Sequence, residues 1–176
     1  MTNEHDCKAH KKEMRATFER PYRFLDSGLS NVYLVGIKYW TCENCGRQAA
    51  EIPALEGLMS VIAKSVVMKP ALLTGEEIRF LRKRIGKKAS EFAELINKTP
   101  EHLSKLENDQ VHLPEETDKL IRLTYGMLCG DRQLLVDIAA KAEQWLRSIS
   151  NRANENITFK KKAQHAWKPM AKGMTA

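Results

Sequence analysis

The chain has 176 residues, 43% of them hydrophobic and 29% charged, with a formal net charge of +7. That length holds one or two small domains, and that composition is ordinary for a folded globular protein rather than a disordered or fibrous one. No apolar run approaches the length of a bilayer span and the opening MTNEHDCKAHKK lacks the apolar centre of a secretion signal, so a cytoplasmic protein is expected.

Reduced thiols are the rule in that compartment, so the four cysteines are expected as metal ligands or plain thiols rather than as disulfides. The charge is uneven along the chain. Residues 1–73 hold ten Lys/Arg against eight Asp/Glu, residues 74–128 ten against ten, and residues 129–176 nine against four. The basic excess therefore belongs to the C-terminal part, and the total is a weak argument for nucleic acid, since net charge also serves solubility.

In residues 1–53, Cys7 and His10 form Cys-x-x-His, and Cys42 and Cys45 form Cys-x-x-Cys with Gly46 after them. Two ligands three apart can reach one metal, and two such knuckles complete a tetrahedron, which predicts a closed Cys3His zinc set. A closed set leaves no position for a reactive water, so it predicts a structural metal and no enzyme. His5 competes with His10 for the fourth place. Cys129, far off in the chain, is expected as a buried thiol. Between the knuckles, Tyr22-Arg23-Phe24 and the run from Val32 to Tyr39 read as strands, with Asp26-Ser27-Gly28 as a turn. A sheet this small buries little core and is expected to need the metal.

Residues 54–73 begin with Leu55, Leu58, Met59, Ile62, Ala63 and Val66 at helical spacing, predicting an amphipathic helix over 54–67. Its apolar face is expected to pack on the zinc domain. Met68 to Leu73, with Pro70, reads as a join.

Residues 74–128 carry four short helical patterns. The first opens on a capping box, Thr74 with Glu77, sets Ile78, Leu81 and Ile85 on one face, and stops at Gly86. The second carries Ala89, Phe92, Ala93 and Ile96, and Asn97 after it tolerates the left-handed backbone of a sharp turn. The third has Thr99 as N-cap and Pro100 at the first position, with Leu103 and Leu106 inward. The fourth starts near Pro114 and is expected to bury Leu120, Ile121, Leu123, Thr124 and Met127. Two helices joined by a tight turn, the second polar on its outer face, is the layout of a helix-turn-helix reader of duplex DNA. The plainer alternative is a helical packing unit with no nucleic-acid partner.

Residues 129–150 contain a further helix, from Asp131 to Ile149. Leu134, Leu135, Ile138, Ala139, Ala142, Trp145, Leu146 and Ile149 form a broad stripe expected to pack on the fourth helix, with a dimer contact as the alternative. Residues 151–176 form a basic tail with no steady period, expected to be flexible, whose Lys160, Lys161 and Lys162 could lie on a phosphate backbone.

The run EFAELINKTPEHLSKLEND resembles helix two, turn and recognition helix of the Cro/lambda-repressor-like (Xre) family. By position, the resemblance implies that Arg82 on the first helix pairs with Glu107. It also implies that Thr99, Glu101, His102, Ser104 and Lys105 face the major groove or its phosphates. Lys88 and Ala89 stand where that family has a hydroxyl residue and a glutamine, so Lys87 and Lys88 are expected to supply the backbone contacts. Asp109 stands in place of a glycine and is expected to repel phosphate.

The order of zinc knuckle, strands, zinc knuckle, helix and helix-turn-helix is similar to the YgiT-type zinc-finger/helix-turn-helix regulators of bacteria. The likeness covers residues 7–128 through GLSNVYLVGIKYWTCENCG, IPALEGLMSVIAKSVVMKPALLTGEEIRFLRK and EFAELINKT. That family has Cys-x-x-Cys-Gly twice; here His10 and Lys11 replace the second cysteine and first glycine. The resemblance implies a dimeric DNA-binding transcriptional regulator, a repressor, with zinc as cofactor. An antitoxin belongs to this group, which implies the alternative of a zinc domain that binds and neutralises a partner toxin. The expected fold is α+β: a small zinc-bound β domain, then an all-α lambda-repressor-like domain with a C-terminal helix.

Overall fold

The computed structural model describes residues 6–10, 13–17, 20–147, 157–163 and 166–169, with the backbone alone for 142–147, 157–163 and 166–168. It is a mixed α and β protein of two compact units. The first comprises residues 1–25, 31–61 and 156–176; the second comprises 26–30 and 62–155. No helix among the described residues is long and apolar enough to cross a membrane.

The first unit contains two sheets. One orders its strands β1 (Arg15–Thr17), β4 (Tyr39–Thr41) and β5 (Gln48–Ala50), all antiparallel. Trp40 pairs with Ala16 on one side and Ala49 on the other. The other sheet orders β2 (Tyr22–Arg23), β3 (Val32–Val35), β6 (Ile157–Ala163) and β7 (Ala166–Pro169). The single strand expected from Val32 to Tyr39 is split. Gly36 takes φ +76, and the chain leaves one sheet and enters the other there. Val32 and Leu34 are buried before the break, and Ile37, Tyr39 and Trp40 after it. Tyr22 and Tyr39 meet with ring centroids 5.4 Å apart.

Parts of the basic tail differ from expectation. β6 runs parallel to β3, with Val32 opposite Ile157 and Val35 opposite Lys160, and β7 returns antiparallel. Ile157, Thr158 and Phe159 are strand-forming types. The three lysines after them hide the alternation, and the partner strand lies over a hundred residues away, so no local pattern announces it.

The second unit is helical. α1 (Leu55–Met68) enters it from the first, with Leu58, Ile62, Ala63, Val66 and Val67 buried, although Leu55 is exposed. Then come α2 (Gly75–Arg84), α3 (Ala89–Leu95), α4 (Pro100–Glu107), α5 (Glu115–Leu128) and α6 (Arg132–Arg147). The capping box forms as expected: Glu77 N–H donates to Thr74 Oγ1 at 3.4 Å and Thr74 N–H to Glu77 Oε2 at 2.7 Å. Residues 26–30 also belong here, and Ser30 donates from its N–H (2.9 Å) and hydroxyl (2.8 Å) to Glu76 Oε2.

α2, α3 and α4 end alike. Gly86, Asn97 and Asp109 take φ of 67°, 52° and 51°. In each case the next residue's N–H reaches back over the last turn: Lys87 to Arg82 O, Lys98 to Ala93 O, Gln110 to Lys105 O. This paired closure satisfies the last carbonyls of each helix and sets the angle to the next element.

α5 buries Ile121 and Thr124 as expected and half-buries Leu123, but two members of the expected face lie outside and two charged residues lie inside. Leu120 is 38% and Met127 70% exposed, while Asp118 and Arg122 are buried with Thr117, Ile121 and Tyr125. Arg122 donates to Asp118 (Nε to Oδ2, 2.7 Å; Nη2 to Oδ1, 3.2 Å) and to the carbonyls of Val67, Lys69 and Ala71. The chain after α1 has no helical partners for those carbonyls, and a buried guanidinium supplies them. Asp118 also accepts from Leu73 N–H at 2.9 Å. α6 packs on α5: Leu134 and Ile138 are buried, and a Cβ on Gly126 would stand 2.7 Å from Ile138 Cδ1. Ile149 lies outside the described residues, as do the side chains of Ala142, Trp145 and Leu146.

Candidate metal centre and helix pair

The two cysteine knuckles are turns at one end of the β1–β4–β5 sheet. The second is the loop of the β4–β5 hairpin, where Cys42 N–H donates to Arg47 O (2.9 Å) and Gly46 N–H to Cys42 O (2.8 Å). Gly46 takes φ +68, a left-handed conformation that suits glycine. The first is a turn with His10 N–H on Cys7 O at 3.1 Å, closed by an Asp6–Glu13 bridge and followed by β1. Because Arg15 is opposite Thr41, pairing of β1 with β4 brings the turns together.

Cys7, His10, Cys42 and Cys45 converge, each offering one ligand atom, and these atoms lie within 4.8 Å of one another. Cys7 Sγ is 3.6 Å from His10 Nδ1 and 3.8 Å from Cys45 Sγ; Cys42 Sγ is 3.7 Å from His10 Nδ1. These four residues could hold a metal ion. Cys7 and Cys42 are buried with Met14 and Trp40, while His10 and Cys45 face solvent. His10 stands among the three cysteines; its competitor His5 lies outside the described residues.

The thiols respond to one another. The His10 ring, then the His10 backbone N–H, hold the Cys7 thiol down to about 6. Cys45 goes the other way. The Arg47 N–H lowers it, but Cys42, desolvation and Cys7 together outweigh that and push it up. Three sulfurs this close resist ionising together, and a bound cation is what would favour three thiolates. Cys129 stands apart, half-buried at the end of α5, with its thiol on Gly126 O at 3.5 Å.

In the second unit, α3 and α4 are joined by residues 96–99, and α4 lies against α2. Thr99 caps α4, accepting from His102 N–H at 3.2 Å. Leu103 and Leu106 are buried; Glu101, Ser104 and Lys105 are exposed, and His102 is half-buried. Thr99 is exposed but already committed to the cap; Glu101's own backbone N–H first, and the Thr99 hydroxyl second, hold the Glu101 carboxyl below its usual range. Lys88 is exposed and Lys87 half-buried.

Arg82 and Glu107 meet as the resemblance implies. Nε donates to Oε1 at 2.6 Å and Nη2 to Oε2 at 3.0 Å, a two-pronged ion pair. The Arg82 side chain is 12% and that of Glu107 6% exposed. Glu107, ahead of burial and of charge alone, raises the Arg82 pKa. Arg82 Nη1 also reaches Lys87 O at 2.9 Å, tying the α2–α3 turn to the same pair.

Three further parts of this joint escaped the sequence. Arg79, one turn before Arg82, donates to Glu107 Oε2 (3.4 Å), Glu107 O (2.9 Å) and Asn108 Oδ1 (2.7 Å). Its spacing of three from Arg82 was the available signal. Gly75 sits so close to α4 that a Cβ there would be 2.6 Å from the Glu107 carbonyl. Asp109 accepts from Gly75 N–H at 2.7 Å, so its carboxylate caps α2. The same residue adopts the left-handed backbone that the glycine of the Xre pattern would supply.

No family model matches the chain, and no curated protein or solved structure matches it significantly.

Proposed function

We propose that the chain is a sequence-specific DNA-binding transcriptional regulator, a repressor that acts as a homodimer, with a structural zinc ion in its N-terminal unit. One observation carries the DNA reading. α4 buries Leu103 and Leu106, presents Ser104 and Lys105 outward, and is fixed to α2 by the Arg82–Glu107 pair. A helix held this rigidly can enter a major groove with its outer residues at base edges. Lys87 and Lys88 then contact phosphates. Because residues 74–128 carry no net charge, a second copy is the expected source of further affinity, and a two-fold dimer would read a palindrome.

Zinc is favoured by the ligand chemistry. Zn–S of about 2.3 Å and Zn–N of about 2.0–2.1 Å in a tetrahedron put ligand atoms about 3.6–3.8 Å apart. The separations of 3.6 Å (Cys7–His10), 3.7 Å (Cys42–His10) and 3.8 Å (Cys7–Cys45) match those edges. When bound, such an ion supplies folding energy and no reactive position. The chain's own residues do the rest: Met14 and Trp40 back the buried thiols, and the two turns preset the ligand spacing.

Selection of full-length, zinc-loaded protein against random duplexes tests the reading. A palindromic sequence should be enriched over successive rounds. A pool that stays random through repeated selection would contradict the proposal.

A further inference from the structure

The outward side of α4 carries several polar residues, and their surroundings sort them. The Thr99 hydroxyl accepts from the His102 N–H, and His102 is half-buried. Asn108 is exposed, yet both ends of its amide are engaged. Its Oδ1 accepts from Arg79 Nη2 at 2.7 Å, and its Nδ2 donates to Ser104 O at 2.7 Å. An amide held at both ends serves the joint between α2 and α4 rather than a base edge. Ser104 is exposed, but a hydroxyl both donates and accepts, so it discriminates little between bases. Glu101 and Lys105 remain.

Both are exposed, and a spacing of four puts them on one face, about 6 Å apart along the helix axis. An acid followed by a base at this spacing often pairs, as Glu115 and Lys119 do on α5 at 3.7 Å. Among the described residues, Glu101 and Lys105 form no such pair with each other or with any other side chain. Both charged ends are therefore open to a ligand.

The Glu101 carboxyl is held below its usual range, so at neutral pH it is an anion that accepts and never donates. An anion on a face turned to DNA weakens the general attraction to phosphate. What it offers in return is choice among bases. It accepts from the amino group of cytosine and is repelled by the acceptors that guanine and thymine show in the major groove. Lysine has the opposite preference and suits O6 and N7 of guanine. We propose that Glu101 and Lys105 set the base preference of the half-site. Glu101 takes a cytosine through its N4 amino group, and Lys105 takes a guanine about two base steps away, at about 3.4 Å per step. This rests on α4 entering the major groove and adds which bases it selects there.

The test repeats the selection from random duplexes with full-length, zinc-loaded wild type, Glu101→Gln, Glu101→Asp and Lys105→Gln. Each substitution is at an exposed side chain with no ion pair, so each variant should fold, as circular dichroism will show. Glutamine suits N6 and N7 of adenine. Glu101→Gln should therefore change one position of the enriched half-site from cytosine to adenine and leave the others as they are. Lys105→Gln should change a second position from guanine to adenine. Glu101→Asp keeps the carboxylate and should keep the cytosine. Titration against the wild-type site and its single-base variants should show the preference at the first position falling about fivefold or more in Glu101→Gln. Affinity of that variant for random duplex should hold or rise, because an anion has been removed. If wild type enriches a sequence and Glu101→Gln enriches the same one, this inference is overturned while duplex reading stands. Glu101 would then serve only the dipole of its own helix. Glu101→Gln that strengthens every duplex by one factor overturns it too, since the carboxylate would merely repel phosphate. Wild type that enriches no sequence removes duplex reading itself, and this inference with it.

Discussion

The two units are held together by different means. In the first, two short sheets bury Tyr22, Phe24, Val32, Leu34, Tyr39 and Trp40 among the described residues, and Cys7, His10, Cys42 and Cys45, which could hold a metal, converge at one end of the β1–β4–β5 sheet. In the second, an apolar core of Phe92, Leu103, Leu106, Ile78, Leu81 and Ile121 is laced by buried ion pairs. Each of those pairs also binds backbone: Arg122 holds the 67–71 segment, and Arg82 holds the α2–α3 turn. With the zinc proposed above, the smaller unit would draw part of its folding energy from a ligand; the helical unit has a core of its own and uses polar contacts to fix geometry. Perturbations should therefore act all-or-none in the first unit and by degrees in the second.

The largest expected effect is loss of the proposed zinc. Structural zinc sites contribute roughly 10–16 kcal/mol of apparent folding energy near neutral pH. Cys42→Ser should release the ion and melt the β1–β4–β5 sheet. Amide exchange read residue by residue should show protection lost in β4 and β5 and kept in α2 to α5. Protection retained in both units with no metal bound would break the comparison.

Next comes Arg122→Met. It strands Asp118 in the core and frees the carbonyls of Val67, Lys69 and Ala71, and breaking a buried pair from one side costs about 3–5 kcal/mol. Urea denaturation of the helical unit should move its midpoint accordingly. A shift as small as that of a surface variant would mean the pair is solvated in solution.

Glu107→Ala should be smaller, on the order of 1–3 kcal/mol, because Arg82 and Arg79 can still turn toward water. Gly75→Ala belongs in the same range through overpacking against the Glu107 carbonyl. Thermal melts of the two variants should both fall short of that of Arg122→Met.

The smallest effect is at the surface pair Lys64–Asp137, 3.1 Å apart. Gln133 first, and Lys64 second, lower the Asp137 carboxyl below its usual range. A lowered folded-state pKa means stability that is present above about 4, the unfolded value, and lost as pH falls through the folded value. Lys64→Met should narrow that acid-side loss slightly and lower stability at pH 7 by the same small amount, at the edge of what a melt resolves. A large change at neutral pH would put the pair in the core, against its exposure.

How far the sequence could be read follows the same division. The helical unit was legible because its signals are local. Thr74 with Glu77, Thr99 with Pro100, and Gly86 and Asn97 mark helix ends within a few residues. On α5 it was right for Ile121 and Thr124 but wrong for Leu120 and Met127. Burial of Asp118 and Arg122 depends on carbonyls some fifty residues away, which no window along the helix contains. The Cys7, His10, Cys42 and Cys45 cluster was legible as spacings, since three-residue turns are also local. The tail strands were not, because pairing with β3 is long-range and Lys160 to Lys162 reads as a solvated run. Asp109 was legible as a charge but not as a cap, since its partner Gly75 is brought to it by the fold.

Whether α4 reads sequence is tested most directly by one titration. Ser104→Ala with Lys105→Ala leaves the buried face and the Arg82–Glu107 pair of α4 intact. It is measured beside wild type against the selected duplex and a random duplex of equal length, at a single salt concentration. The ratio of the two affinities should fall at least about tenfold in the variant, as expected for losing one good base contact. An unchanged ratio, with both duplexes weakened equally, would contradict the account: α4 would then be a phosphate contact and not the reading helix.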